Sequence, residues 1–240
     1  MGRENFNLRQ AAEHVHLEAN ELRHFAQRGE VPAVERGGDW YFDHRDLDEW
    51  AQRNFLAATP REQLRQHRVI AEEDRRAHRE DWRVWRMLRP EGGIVLDFPA
   101  RTKAGVLRDM SDLAARTGLV YDMEGLFGEL KAREEAASTA VGEGAAFLHA
   151  RFHDPYFFEE TFIAYGRSAQ PIYFGAPDDE PTRHFFLICS TDHELHLHIL
   201  ARLAVLAHAT EFLKLLDEAE DAAQVVEIVR AAEEGMVTER

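Results

Sequence analysis

Ser138-Thr139-Ala140-Val141-Gly142-Glu143-Gly144-Ala145-Ala146-Phe147-Leu148-His149 is the stretch on which the reading of this 240-residue chain turns. An alanine-rich run with helical character stops at the Ser-Thr pair, and two glycines around one glutamate mark a tight turn. The apolar run that follows reads as a buried strand presenting a single histidine at its end. Neutral imidazole, with a reference pKa of about 6.5, is a nucleophile at physiological pH. A phosphoryl group held on its nitrogen is labile enough to be passed on, provided nearby groups position it and neutralise its oxygens. The Ser138 and Thr139 hydroxyls, the glycine-loop N–H groups and Arg151 are placed by sequence to do so. On spacing alone, a strand-end histidine is more often structural than reactive.

Working outward, the surrounding residues alternate strands and helices in the manner of a mixed α/β (α+β) domain. Ile94–Phe98 is an apolar strand. Segments 103–117 and 122–137 are amphipathic helices built on Val106, Leu107, Met110 and Leu113, and on Met123, Leu126, Phe127 and Leu130. Strands are expected at 161–165, 172–174 and 185–189, then a helix over 194–209 and two shorter C-terminal helices. Asp192, His193, His196 and His198 suggest a metal cluster, and His193-Glu194 begins a His-Glu-x-x-His pattern. Leu197 stands where the second histidine of that pattern must be, and residues two apart diverge on a helix, so neither a metal nor a cofactor is expected. His153, His184 and His208 read as ordinary surface or core residues, and Cys189 as a buried, inert strand residue.

The first fifty residues carry a different pattern. Asn7 is a helix N-cap ahead of Leu8, Ala11, Ala12 and Val15; a second helix through Leu17, Leu22, Phe25 and Ala26 stops at Gly29. A hairpin turning at Gly37-Gly38-Asp39 leads to Trp40-Tyr41-Phe42, and Asp43 caps a third helix bearing Leu47, Trp50 and Ala51. Residues 55–92 read as a long, charged, helical linker between Pro60 and Pro90, with a solvated connector, a dimer contact and a basic surface near DNA all open. The organisation is therefore 1–54, 55–92 and 93–240.

Charge is uneven across these regions. The net −15 divides into −4 over residues 1–54, +2 over 55–92, where every basic residue is arginine, and −13 over 93–240. An acidic C-terminal body repels nucleic acid, so DNA contact falls to the first ninety residues. One cysteine excludes an internal disulfide framework, and no apolar run forms a signal peptide or membrane span; a cytoplasmic protein is expected, with no membrane partner.

Residues 94–236 resemble the EIIA domain of the fructose/mannitol and nitrogen-regulatory branch of the bacterial phosphoenolpyruvate-dependent phosphotransferase system. The motifs occur in order: Thr102-Lys103, Arg133-Glu134 with Ser138-Thr139, Gly142-x-Gly144, His149, Phe174-Gly175-Ala176-Pro177-Asp178, the strand to Cys189, and His196-Leu197-x-x-Leu200-Ala201-x-Leu203-Ala204. The resemblance implies a mixed sheet flanked by helices, His149 as phosphoacceptor and His196 as its supporting neighbour. It also implies the small carrier HPr, or its nitrogen-branch paralogue, as donor. Where relatives have proline before the active histidine this chain has Leu148, which removes a restraint on the backbone that aims the ring. Whether the domain is an enzyme component depends on whether Leu148 is tolerated.

Residues 6–53 resemble the excisionase-type, MerR-like winged helix-turn-helix, through Leu8-x-x-Ala11-Ala12, Gln27-Arg28-Gly29-Glu30-Val31-Pro32-Ala33, Trp40-Tyr41-Phe42 and Asp46-Leu47-x-x-Trp50. That resemblance implies DNA as a partner, with Asn20, Arg23, His24 and Gln27 at base edges and Arg28, Arg36 and Arg45 at phosphates. Glu18 and Glu21 on the same helix weaken a monomer's grip, so a homodimer, or arginines 75, 76, 79, 83, 86 and 89, is needed for tight binding. The expected function is a phosphotransferase-linked regulator that accepts phosphoryl on His149 and couples it to DNA binding. The alternatives are a phosphocarrier for a sugar permease and a drifted, non-phosphorylated binding protein.

Overall fold

The computed structural model describes residues 5–59, 61–65, 68–70, 82–151, 157–208 and 211–238. The N-terminal unit runs β1 (Asn5–Asn7), α1 (Leu8–His14), α2 (Ala19–Gln27), β2 (Val34–Arg36), β3 (Asp39–Asp43) and α3 (His44–Ala57). Asn7 caps α1 in a reciprocal box with Gln10, and the Asp43 carboxylate accepts the first backbone N–H groups of α3. The apolar periodicity is realised as a small core of Ala11, Ala12, Leu22, Ala26, Val31, Phe42, Leu47 and Trp50. A short strand ahead of α1 joins the wing to make a three-stranded sheet in the order β1-β3-β2.

The segment after α3 is not one continuous helix. Ala58 is extended, residues 61–65 and 68–70 are helical, and a single turn, α4 (Val84–Met87), follows extended Arg83. Nor are these pieces purely solvated: Gln63 donates to the Phe55 carbonyl, while Ile70, Val84, Met87 and Leu88 are buried. Arg75, Arg76 and Arg79, and also His153, lie outside the described residues.

The larger unit contains β4 (Ile94–Phe98), α5 (Lys103–Arg116), α6 (Met123–Ala136), β5 (Ala140–Gly142), β6 (Ala145–His149), β7 (Phe162–Ile172), β8 (Thr182–Cys189), α7 (His193–Ala207), α8 (Phe212–Glu218) and α9 (Ala222–Thr238). The sheet order is β4-β7-β8-β6-β5, parallel between β4 and β7 and between β8 and β6, antiparallel elsewhere. One eleven-residue strand, β7, replaces the two expected at 161–165 and 172–174, because its pairing with β8 resumes at Ile172 beyond a register shift after Arg167. Thr102, Asp122 and Asp192 cap α5, α6 and α7 through their side-chain oxygens.

Strand alternation sorts the core into two layers. Ala146, Leu148, Phe162, Ala164, Phe185 and Leu187 face α5 and α6. Ala145, Phe147, Ile163, Tyr165, Phe186 and Ile188 face α7 and the C-terminal helices, and this second layer is continuous with the core of the N-terminal unit. The contact between units is carried by α3 lying against α7. Among the described residues no helix is long and apolar enough to cross a membrane.

Candidate functional site

Two residues past Phe147, His149 inherits that residue's direction and points to the α7 side of the sheet. Its ring centroid lies 4.9 Å from that of His196, one turn into α7, and the rings are tilted by 58°. Both are buried, His149 at 1% exposure and His196 at 0%. The His149 Nδ1 is 2.8 Å from the Phe147 carbonyl oxygen, which can only accept, so Nδ1 carries the proton. Its Nε2 lone pair accepts from Arg133 Nε at 3.0 Å. The ring is thus neutral, oriented, and nucleophilic at Nε2.

Arg133 comes from α6, on the opposite side of the sheet, and reaches around the end of β6. Its Nη1 donates to the Ala137 carbonyl, and burial lowers the pKa of its guanidinium while Glu134 and Glu49 oppose the shift. Arg133 belongs to the Arg133-Glu134 motif, but its charge at a helix end gives no sign in the sequence that it turns inward to the histidine.

The glycine turn has a structural cause. Gly142, Glu143 and Gly144 all have positive φ, at 93°, 54° and 84°. A Cβ on Gly142 would sit 2.9 Å from the Asp178 Oδ2, the same oxygen that accepts the Glu143 N–H at 2.8 Å. Asp178 therefore clamps the turn that launches β6.

Ser138 and Thr139 are scaffold in this arrangement. The Ser138 hydroxyl donates to the Phe174 carbonyl. The Thr139 hydroxyl and N–H both donate to Glu134, which is also paired with Lys103 at 2.7 Å. Their protons are committed away from His149. Arg151 lies just past the histidine, but its guanidinium is held by Glu49 of α3 at 3.0 Å.

Of the remaining histidines, His198 accepts from Arg202, which in turn pairs with Glu233. His184 bonds the Tyr165 hydroxyl, and Cys189 is buried with its thiol pKa pushed up by desolvation. Asp192 is the α7 cap.

On the N-terminal unit, Asn20, Arg23, His24 and Gln27 form one exposed stripe of α2. Arg23 donates to Asn20 at 3.2 Å, and Arg28 is paired with Glu30 rather than open to a phosphate. Arg36 is exposed on the wing strand β2 and Arg45 on the first turn of α3. Arg89 is committed to Glu160 and to main-chain carbonyls.

Comparison with known proteins fits both units. Residues 87–232 match the family "Phosphoenolpyruvate-dependent sugar phosphotransferase system, EIIA 2", and residues 6–54 match a helix-turn-helix domain. The fructose-specific EIIA component of Haloferax volcanii is 35% identical over 127 residues, 52% of this chain and 80% of that protein. The fructose-specific EIIABC component of Bacillus subtilis is 29% identical over 138 residues, 57% of this chain, which spans only 21% of that longer protein. The crystal structure of nitrogen regulatory protein IIA-Ntr from Neisseria meningitidis superposes with a TM-score of 0.55 at 26% identity, covering 61% of this chain and 98% of that one. With more than half its length matched and the EIIA-type mixed sheet in place, the chain belongs to the EIIA 2 family of the phosphoenolpyruvate-dependent sugar phosphotransferase system, with a helix-turn-helix domain ahead of it.

Proposed function

We propose that the chain is a phosphotransferase-linked regulator in which His149 accepts a phosphoryl group and thereby controls the helix-turn-helix unit. The observation that carries this reading is the closed arrangement: His149 is 1% exposed, α3 packs on α7, and Glu49 of α3 holds Arg151. In the transfer step the Nε2 lone pair of His149 attacks the phosphorus of a phosphohistidine on an HPr-type carrier. The new N–P bond forms as the old one breaks, and the carrier imidazole keeps the released electron pair. Arg133 then turns its N–H from Nε2 to a phosphoryl oxygen, and Nδ1–H stays on the Phe147 carbonyl. His196 supports the ring from α7.

A phosphoryl group adds up to two negative charges. It competes with Glu49 for Arg133 and Arg151 and repels that carboxylate, so the modified form favours release of α3. Closure is also not optimised: Gln52, on the α3 face that bears Asp48 and Glu49, is fully buried, and its amide has no hydrogen-bond partner among the described residues. Leaving such a group unpaired costs about 1–3 kcal/mol. Release frees the N-terminal unit to pair with a second copy, and the dimer binds DNA through the α2 stripe, which is already exposed in the closed form.

The test is incubation of the protein and a His149→Ala variant with phosphoenolpyruvate, enzyme I and HPr or its nitrogen-branch paralogue. The reading expects an acid-labile gain of one phosphoryl mass on the parent alone; no gain on the parent removes it for that carrier. A second reading, a phosphocarrier serving a sugar permease, is favoured by the likeness to fructose-specific components. Onward transfer from His149 to an EIIB domain, with no salt-sensitive DNA binding, would select it.

A further inference from the structure

Where α3 meets α7, four side chains with metal-ligating atoms converge. His14 ends α1, His44 opens α3, Asp48 lies one turn further along α3, and His193 opens α7. The Asp48 Oδ1 is 2.6 Å from the His14 Nε2 and 3.1 Å from the His193 Nε2, and its Oδ2 is 3.4 Å from the His44 Nε2. The His14 and His193 rings stack at 4.3 Å and 10°. One ligating atom from each of His14, Asp48 and His193 lies within 4.8 Å of the others. His193 and Asp48 are buried, whereas His44 stands at the solvent edge.

We infer that this cluster is a binding site for a divalent transition ion of the zinc type, which clamps the helix-turn-helix unit to the EIIA domain. His14, Asp48 and His193 are its inner ligands and His44 the outer fourth. Three imidazoles and one carboxylate are a borderline nitrogen/oxygen set that suits zinc and cobalt better than calcium or magnesium. Ligands about 2.0–2.1 Å from a tetrahedral ion lie roughly 3.4 Å from one another. The Asp48 contacts of 2.6, 3.1 and 3.4 Å approach that spacing, and binding turns the stacked His14 and His193 rings apart so that both lone pairs meet the ion.

The ligands come from both units, so the ion fastens the closed form. His193 is also three residues before His196 on α7, the helix that covers His149. The site itself stands whether or not His149 is phosphorylated.

The test uses the full chain, stripped by chelator and titrated with Co2+ and then Zn2+. The expected result is one ion per chain, the intense visible bands of tetrahedral Co2+, and loss of those bands when Zn2+ is added. His193→Ala and Asp48→Asn should each weaken binding at least tenfold. Far-UV circular dichroism separates ligand loss from misfolding, and His44→Ala, at the solvent edge, gives a milder variant that should weaken binding severalfold while folding normally. Slower hydrogen exchange over α3 and the first turn of α7 on adding the ion, absent in His193→Ala, reports the clamp. Absence of stoichiometric binding by the parent, or unchanged binding in folded His193→Ala and His44→Ala proteins, overturns the site. Binding without the exchange effect overturns the clamp.

Discussion

At His149 the two ring nitrogens are already differentiated, since Phe147 fixes the proton on Nδ1 and Arg133 meets the lone pair on Nε2. Arg133 is therefore expected to matter for transfer as well as for folding. Arg133→Ala should slow phosphoryl uptake on the order of a hundredfold, as loss of one oxyanion donor does elsewhere. It should also cost about 1–3 kcal/mol of stability from the groups left unpaired. Single-turnover transfer and urea unfolding measure the two separately, and an unchanged transfer rate would remove Arg133 from the step. His184 gives a pH effect of a different kind. Burial lowers its pKa from 6.5 to about 4, so the folded state resists a proton that the unfolded chain accepts. Stability present above pH 6.5 is thus lost as pH falls toward 4, at up to about 1.4 kcal/mol per pH unit. In a His184→Gln variant, urea unfolding between pH 6.5 and 4.5 should show a shallower loss than in the parent.

At the scale of elements, the β5–β6 turn decides where His149 is delivered. Gly142 has φ of 93°, and Asp178 fills the space a side chain would need. Gly142→Ala should cost about 1–3 kcal/mol and push Asp178 off the Glu143 N–H. The melting temperature reports the first effect, and a drop in phosphoryl uptake larger than global unfolding explains would report the second. Leu148 belongs to the same element. Its side chain is 1% exposed, it faces α5 and α6, and it pairs in register with Leu187 of β8. Packing and pairing thus hold the backbone beside His149.

At the scale of the whole molecule, closure rests on α3 against α7, on the Glu49–Arg151 pair and on the His14–Asp48–His193 cluster. Glu49→Gln keeps the shape of the side chain and removes its charge. It should speed phosphorylation of His149 severalfold by freeing Arg151 and loosening the cover. A rate equal to the parent's would mean that α3 does not gate the site. If the proposed regulator reading holds, Arg23→Ala, on the exposed stripe of α2, should abolish a salt-dependent shift of operator DNA while leaving phosphoryl uptake intact, and an unchanged shift would remove Arg23 from the proposed DNA contact.

Much of the fold was legible because local physics dictated it. Asn7, Asp43, Thr102, Asp122 and Asp192 precede apolar periodicities and cap the helices where those begin. The continuous apolar run over residues 145–148 was enough to place His149 at the end of a buried strand. The motif order carried the family, as the match over 87–232 bears out. What the sequence did not reveal depends on contacts between distant residues. Arg133 reaches His149 from another layer, 16 positions away. Glu49 and Arg151 meet across 102 positions, and His14, Asp48 and His193 converge only because three helix ends are packed together. The chain by itself determined most of its elements and their burial pattern, through spacing within a few residues, and its kinship, through motif order; the break after Ala57 and the merging of two expected strands into β7 were not visible in it. Only the tertiary structure decided that α3 of the helix-turn-helix unit packs on α7, that Glu49 holds Arg151, and that His14, Asp48 and His193 meet there, because the charge and imidazole pairs concerned have no local signature.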